Sequence, residues 1–211
     1  MHIKPLTQNG PELEGDFKID DLIIFSDSGQ LASVAKMWSA VTKYALMMDQ
    51  AHAESIGGVR AFLTARSKCQ SADEDELDAR IMATHELQIL SDSDNYLLKS
   101  MLFLMLVSFS EFTHKAIYGL VKAEGPAPPP KHAFKFITKA LSECGVIGQV
   151  PATYQQQFTN HIDPVRNSFA HGDWQELQLS LAAVDLAQSF QAVAQYFYTV
   201  QENLRNQGFN V

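Results

Sequence analysis

Leu97–Phe112, with the sequence LLKSMLFLMLVSFSEF, is apolar on nearly every side. A helix of that kind belongs in the centre of a helical bundle. We expect it to form most of a helix over about 93–123, opened by the N-cap cluster Ser91-Asp92-Ser93-Asp94. Its most apolar run, 101–109, has nine residues. A membrane span needs about 20, so the sequence predicts a buried core helix and no membrane association.

Helical spacing of apolar residues continues before this stretch. The pattern predicts a helix over about 30–55 that ends at Gly57-Gly58, followed by shorter helices over about 59–68 and 74–89. The acidic run Asp73-Glu74-Asp75-Glu76 suits the first turn of the last of these, where negative charge is favourable.

Further helices are predicted after the Pro-rich connector at 125–130. Two cover about 131–143 and 152–161, and a short one begins at Asp163-Pro164 and ends at Gly172. A final helix over about 181–206 carries an apolar seam from Leu186 to Leu204, which can pack on the core or on a second subunit.

These patterns predict an all-α fold, an antiparallel bundle of four to five main helices. No alternating strand pattern, Gly-rich phosphate loop or internal repeat occurs in the sequence. Residues 1–29, rich in Gly and Pro, are expected to form an irregular N-terminal arm with room for a short strand. The helical domain then covers 30–211.

Composition and charge restrict the classes of function. The chain has 211 residues and a formal net charge of −8, which argues against indiscriminate nucleic-acid binding. Its two cysteines, Cys69 and Cys144, lie far apart in the sequence, which excludes a disulfide framework and fits a reducing compartment. The N-terminus has no apolar signal-peptide core. We therefore expect a cytoplasmic protein.

One segment combines residues suited to phosphodiester chemistry. Arg166, Asn167 and His171 lie on or beside the short helix that ends at Gly172. An Arg that binds phosphate, beside a His that titrates near neutrality, can cleave a phosphodiester without metal. Residues five apart differ by about 140° on an ideal helix, so the pair meets only if the helix unwinds at His171. The alternative is that both residues have a structural role at a helix end.

Arg166-Asn167-Ser168-Phe169-Ala170-His171 resembles the Arg-x4–6-His motif of the HEPN superfamily, whose members are all-α bundles and in many cases metal-independent endoribonucleases of toxin–antitoxin and defence systems. The resemblance covers roughly 30–206. It implies that Arg166 binds the scissile phosphate and that Asn167 either hydrogen-bonds this phosphate or orients the Arg166–His171 pair. It also implies that His171 is the general acid/base for attack by the RNA 2′-OH, giving a 2′,3′-cyclic phosphate. The resemblance further implies a homodimer with no cofactor and no metal.

Two positions test the resemblance further. Family members often carry a carboxylate on the long central helix, and Glu111 is the candidate, with an i,i+4 pair to Lys115 as the alternative. His114, one turn further on, is interpreted as a structural histidine. Some members have a Tyr two residues after the His that a partner antitoxin modifies. Here Asp173 occupies that position, so an antitoxin partner is a less secure expectation.

A separate pattern predicts an RNA-binding surface. Lys131, Lys135 and Lys139 recur on one face of the helix over 131–143. Residues 126–211 carry a net charge of only −1, against −7 for residues 1–125, so the acidity lies mostly away from this half. The alternative is a solvated Lys stripe. For the whole protein, the alternatives to a ribonuclease are a non-catalytic HEPN-like module that binds a nucleotide or a protein, and a helical regulator without an active site.

Overall fold

The structure, a computed structural model, describes residues 2–3, 17–18, 24–68, 74–122, 127–128 and 133–211. These residues form seven α-helices, a 3₁₀ turn and a small antiparallel strand pair, and they confirm the all-α fold class. In chain order the elements are β1 (His2–Ile3), β2 (Phe17–Lys18), α1 (Ala32–Ser67), α2 (Glu74–Val121), α3 (Ala133–Glu143), α4 (Ala152–Gln157), the 3₁₀ turn (Thr159–His161), α5 (Ile162–His171), α6 (Trp174–Ala182) and α7 (Leu186–Asn206).

Helices α1 and α2 pack side by side as a long hairpin and are both longer than predicted. The predicted end at Gly57-Gly58 is wrong, because α1 continues through both glycines to Ser67. The predicted break between helices over 74–89 and 93–123 is also wrong. The backbone of α2 is helical from Glu74 to Val121, through the proposed N-cap cluster at 91–94.

The physical reason for these errors is tertiary packing. A glycine inside a helix costs about 1 kcal/mol relative to alanine, and contact between α1 and α2 along the hairpin offsets that cost. Both glycines are exposed, and a Cβ added at either would meet no neighbouring atom. They therefore lie at ordinary solvent-facing helix positions.

The core forms around the second half of α2, as its apolar character predicts. Phe103, Phe109 and Ile117 of α2 are fully buried. The segment Tyr96–Val121 is long and apolar enough to cross a membrane by length and composition alone, and an 18-residue window within it has a mean hydropathy of 1.3. The core helix of a bundle meets the same criterion, and 44% of that window is buried inside the protein. The nine-residue run 101–109 is thus only part of a longer apolar segment.

The C-terminal half differs in detail from the prediction. The helix expected over about 181–206 begins only at Leu186, because Asp185 caps α7 by accepting a hydrogen bond from the Gln188 N–H. Residues 181–182 belong to α6, a helix that the sequence patterns did not predict. Phe190, Phe197 and Leu204 of the predicted seam are completely buried, so the seam packs on the core.

The N-terminal arm predicted at 1–29 lies largely outside the described residues. Its described end packs on α7: Phe25 is buried, its N–H donates to Gln201 Oε1 at 2.8 Å, and its ring lies 6.4 Å from that of Phe197.

Candidate functional site

An ion pair joins the motif to the central helix. Arg166 on α5 places Nη1 3.0 Å from Oε1 of Glu111 on α2, where the two helices pack together. The side chains are 47% and 29% exposed, so the pair lies at the surface with its carboxylate partly covered. The predicted carboxylate therefore meets the motif arginine. Glu111 does not form the alternative pair with Lys115, which is also among the described residues.

Helix α5 orients the motif through its inward face. Val165 and Ser168 are buried, which leaves Arg166 and Asn167 exposed between them. The helix begins at Ile162, with His161 as its N-cap residue, so Asp163, where the sequence predicts the helix start, is already in the first turn. An acidic side chain is favourable there, and proline is tolerated in a first turn because the N–H groups have no intrahelical partner.

His171 is the last residue of α5, and the helix does not unwind there, so the condition for Arg166 and His171 to meet within one chain is not fulfilled. Gly172 takes a left-handed conformation, with φ of 68°. Its N–H donates to the Phe169 carbonyl and that of Asp173 to the Ser168 carbonyl, which is a Schellman ending. Because the helix is regular up to His171, Arg166 and His171 lie about 140° apart around its axis. Within one chain, Arg166 meets Glu111 and not His171.

Asp173 caps the next helix. Its Oδ1 accepts a hydrogen bond from the Glu176 N–H at 3.1 Å, at the start of α6. Asp173 therefore has a structural role as the N-cap of α6.

The predicted lysine stripe borders a cavity. Lys135 and Lys139 line a cavity of about 600 Å³ between α3 and the segment that leads into α5, while Lys131 lies outside the described residues. His114 of α2 and Ile162 of α5 also line it. These lie three and four residues along their helices from Glu111 and Arg166. The cavity is thus about one helical turn from the ion pair on both helices.

A buried polar network forms the floor of the cavity. His114 Nδ1 lies 2.7 Å from the Ser110 carbonyl oxygen, and Nε2 lies 3.0 Å from the Tyr196 hydroxyl. A carbonyl oxygen only accepts, so Nδ1 carries the proton and the Tyr196 hydroxyl donates to Nε2. The Tyr154 ring stacks on that of Tyr196 at 4.2 Å, and its hydroxyl lies 3.2 Å from Ser110 Oγ. The prediction that His114 is structural is confirmed.

Burial governs the ionisation of this network. Desolvation lowers the pKa of His114 from 6.5 to about 4, and its hydrogen bond to the Ser110 backbone opposes this shift only in part. Desolvation also raises the pKa of Tyr154 and of Tyr196 above the usual range. The imidazole and both phenols are therefore uncharged at neutral pH. Sequence patterns did not reveal this network, because the two tyrosines lie on separate helices with no shared spacing.

The fold and this site define an all-α bundle in which a surface Arg–Glu pair and an aromatic cavity lie side by side on α2 and α5. Among the described residues, no cluster of three or more His, Cys, Asp or Glu side chains could hold a metal ion. Comparisons with known protein families, curated proteins and solved structures give no match.

Proposed function

We propose that the protein is a metal-independent endoribonuclease of the HEPN type, acting in the cytoplasm in a defence, stress or toxin–antitoxin setting. The pairing of Arg166 with Glu111 supports this most directly. The resemblance implies both an arginine on a short helix and a carboxylate on the long central helix. A chance match to a short motif gives no reason for these two side chains, 55 residues apart, to be in contact.

Arg166 is suited to bind a phosphate while Glu111 holds its side chain in place. A guanidinium carries five N–H donors, and the bond to Glu111 uses Nη1, so those on Nε and Nη2 face no competition from that carboxylate. A surface ion pair is worth only about 0–1 kcal/mol. An RNA phosphate can therefore share the guanidinium at little cost.

His171 is the proposed general acid/base, with Asn167 as a hydrogen-bond donor to the phosphate. His171 accepts the proton of the RNA 2′-OH, whose oxygen attacks the adjacent phosphorus. The bond from phosphorus to the 5′ oxygen breaks, and that oxygen takes the proton from the His171 imidazolium as it leaves, which returns the imidazole to its neutral form. The products are a 2′,3′-cyclic phosphate and a free 5′-OH, and DNA is not cleaved because it lacks the attacking hydroxyl.

A second copy of the chain is part of this proposal. Arg166 and His171 lie on different faces of α5, so one chain does not bring them to the same phosphate. Two exposed aromatic side chains lie next to the motif: Phe112, beside Glu111, and Trp174, whose ring contacts Phe169 at 6.4 Å. Exposed apolar surface of this kind is typical of an interface. We propose that a homodimer covers it and pairs Arg166 of one copy with His171 of the other.

The substrate reaches this site along the lysines. Lys135 and Lys139 are proposed to contact the RNA backbone about one helical turn from the Arg166–Glu111 pair. Because Asp173 replaces the modifiable tyrosine, an antitoxin partner would act by binding and not by modification at that position.

The activity test uses labelled single-stranded RNA in excess EDTA. Wild-type protein is expected to give fragments with 2′,3′-cyclic phosphate ends, and Arg166→Ala and His171→Ala are expected to lower the rate by about 10²-fold or more. Arg60→Ala and His85→Ala, at exposed positions on the α1–α2 hairpin, are the matched controls and should retain full activity. Equal activity in all five proteins, or none in wild type on varied RNAs, would refute the proposal.

Mixing the two inactive variants tests the shared site. If each site takes Arg166 from one copy and His171 from the other, a mixed dimer of Arg166→Ala and His171→Ala has one intact site. Statistical mixing should then restore about a quarter of wild-type activity. No recovery in a mixture shown to exchange subunits would mean that the two residues act from the same chain.

A further inference from the structure

The cavity beside the Arg–Glu pair has the size of a ligand pocket. Its volume is about 600 Å³, within the range of about 300–1,000 Å³ that small-molecule sites occupy. One side is α3, and Tyr154 of α4 and Tyr196 of α7 close the inner end. A ligand entering it would lie between α3 and the rest of the bundle.

The inner surface offers apolar contact and little hydrogen bonding. The polar atoms of His114, Tyr154 and Tyr196 already bond to one another or to Ser110. No buried side-chain nitrogen or oxygen among the described residues lacks a partner. Phe134, Ile147 and Ile162 add apolar surface around them. The bound part of a ligand should therefore be apolar, because a polar edge buried there would lose its hydrogen bonds to water without replacement.

The rim carries positive charge. Lys135 and Lys139 are one helical turn apart on α3, and both are exposed. Lys139 Nζ has an acidic neighbour, Glu143, but at 3.8 Å and with both side chains largely exposed that contact is weak. The described lining includes no Asp or Glu, although the whole chain carries a net charge of −8. An anionic head group is therefore favoured at the mouth.

We propose that this cavity binds a small amphipathic organic anion, with an aromatic or medium-chain acyl body inside and one carboxylate-like head on Lys135 and Lys139. This site shares Lys135 and Lys139 with the proposed RNA-binding surface, but ligand binding inside the cavity does not require the proposed ribonuclease activity. A nucleobase fits the inner end of the cavity less well, since its hydrogen-bonding edge would meet His114, Tyr154 and Tyr196, whose polar atoms are already paired. The proposed ligand is thus a separate molecule and not a nucleotide of the RNA.

Two fluorescent probes of nearly the same shape test both parts of the site. The anionic probe is 8-anilinonaphthalene-1-sulfonate, and the neutral one is N-phenyl-1-naphthylamine, which lacks the sulfonate. Wild-type protein should bind both and prefer the anion. Lys135→Gln/Lys139→Gln should weaken the anionic probe about fivefold or more and change the neutral probe less than about twofold. Lys36→Gln/Lys43→Gln removes two exposed lysines from α1 and should change neither.

A cavity-filling variant tests whether the apolar part of the ligand binds inside the cavity. Gly148 lines the cavity, and a Cβ there would meet no atom nearer than Asn203 Nδ2 at 4.0 Å, so the position has room for a larger side chain. Gly148→Phe is designed to reduce the cavity volume. It should abolish saturable binding of both probes, while circular dichroism melting confirms that the variant is folded. Decanoate should displace the anionic probe at lower concentration than decanol does.

Three results would overturn the inference. If Gly148→Phe leaves both affinities unchanged, the probes bind elsewhere. If the double lysine variant retains the preference for the anion, Lys135 and Lys139 do not hold the head group. If a single-stranded RNA oligonucleotide displaces both probes from wild type, the cavity belongs to the RNA site. Loss of ribonuclease activity in any variant bears on the proposed function and not on these outcomes.

Discussion

Acidification should destabilise the protein through His114. Its pKa is lowered from 6.5 to about 4 in the folded state, whereas in the unfolded chain it takes its ordinary value. Between these values the unfolded state binds a proton that the folded state does not. The stability that neutral His114 contributes is therefore fully present above about pH 7. It falls as the pH drops from 6.5 to about 4, and it is lost below about pH 4.

The size of the effect follows from the two pKa values. A shift of one unit corresponds to about 1.4 kcal/mol, so the complete loss is about 3 kcal/mol, and by pH 5 about 2 kcal/mol is already gone. The neighbours of the imidazole do not offset this loss. Tyr154 and Tyr196 stay neutral throughout the window because burial raises the pKa of both, and the Phe134 and Phe197 rings that contact the imidazole carry no charge.

Urea unfolding at pH 7.5 and pH 5.0 measures this term. His114→Gln keeps a hydrogen-bonding amide near Tyr196 but cannot be protonated, so its loss of stability between the two pH values should be smaller than that of wild type by about 2 kcal/mol. His85→Gln, at an exposed position on the same helix, should behave like wild type. The reasoning is refuted if His114→Gln loses as much stability as wild type. If that variant does not fold, NMR titration of the wild-type imidazole gives the same answer, because it should show no protonation above about pH 5.

Three further predictions concern the helix glycines, the N-cap of α6 and the Arg166–Glu111 ion pair. Gly57→Ala and Gly58→Ala should each raise the free energy of unfolding by about 0.5–1 kcal/mol. Gly172→Ala should lower it by about 1 kcal/mol, because the φ angle of Gly172 is positive. Thermal melting measures the sign of each change. Asp173→Ala should cost about 1 kcal/mol by removing the α6 cap and Asp173→Asn much less, and equal melting temperatures would show that the cap contributes nothing. Glu111→Gln should change stability by less than about 1 kcal/mol while lowering ribonuclease activity, and an unchanged rate would remove Glu111 from the site.

Local sequence patterns predicted the helical fold well where the spacing of apolar residues is consistent with only one type of secondary structure. The apolar stretch after Leu97 lies in the centre of the bundle as predicted, and the seam up to Leu204 packs on the core, which is one of its two predicted positions. Helix ends were harder to predict. The glycines at 57–58 are helix breakers by propensity, yet packing against α2 keeps them helical.

The candidate site was predicted only in part, because contacts between helices do not follow from local sequence patterns. The motif residues and Glu111 were identified from sequence, but whether Glu111 pairs with Lys115 or with Arg166 depends on where α5 crosses α2. The position of His171 depends on the regularity of α5 up to Gly172, which the hydrogen bonds of the helix ending maintain. Neither the partner of Glu111 nor the position of His171 can be predicted from the spacing of residues along the chain.

Sequence alone determined the helical class, the apolar centre in α2 and the residue types of the motif, because each follows from local periodicity and side-chain chemistry. The tertiary structure alone determined the contact of Arg166 with Glu111, the regular course of α5 up to His171, and the cavity between Lys135 and the Tyr154–Tyr196 stack. These features depend on how helices distant in the chain cross one another. That crossing is set by the packing of many side chains at once, and no single stretch of sequence encodes it.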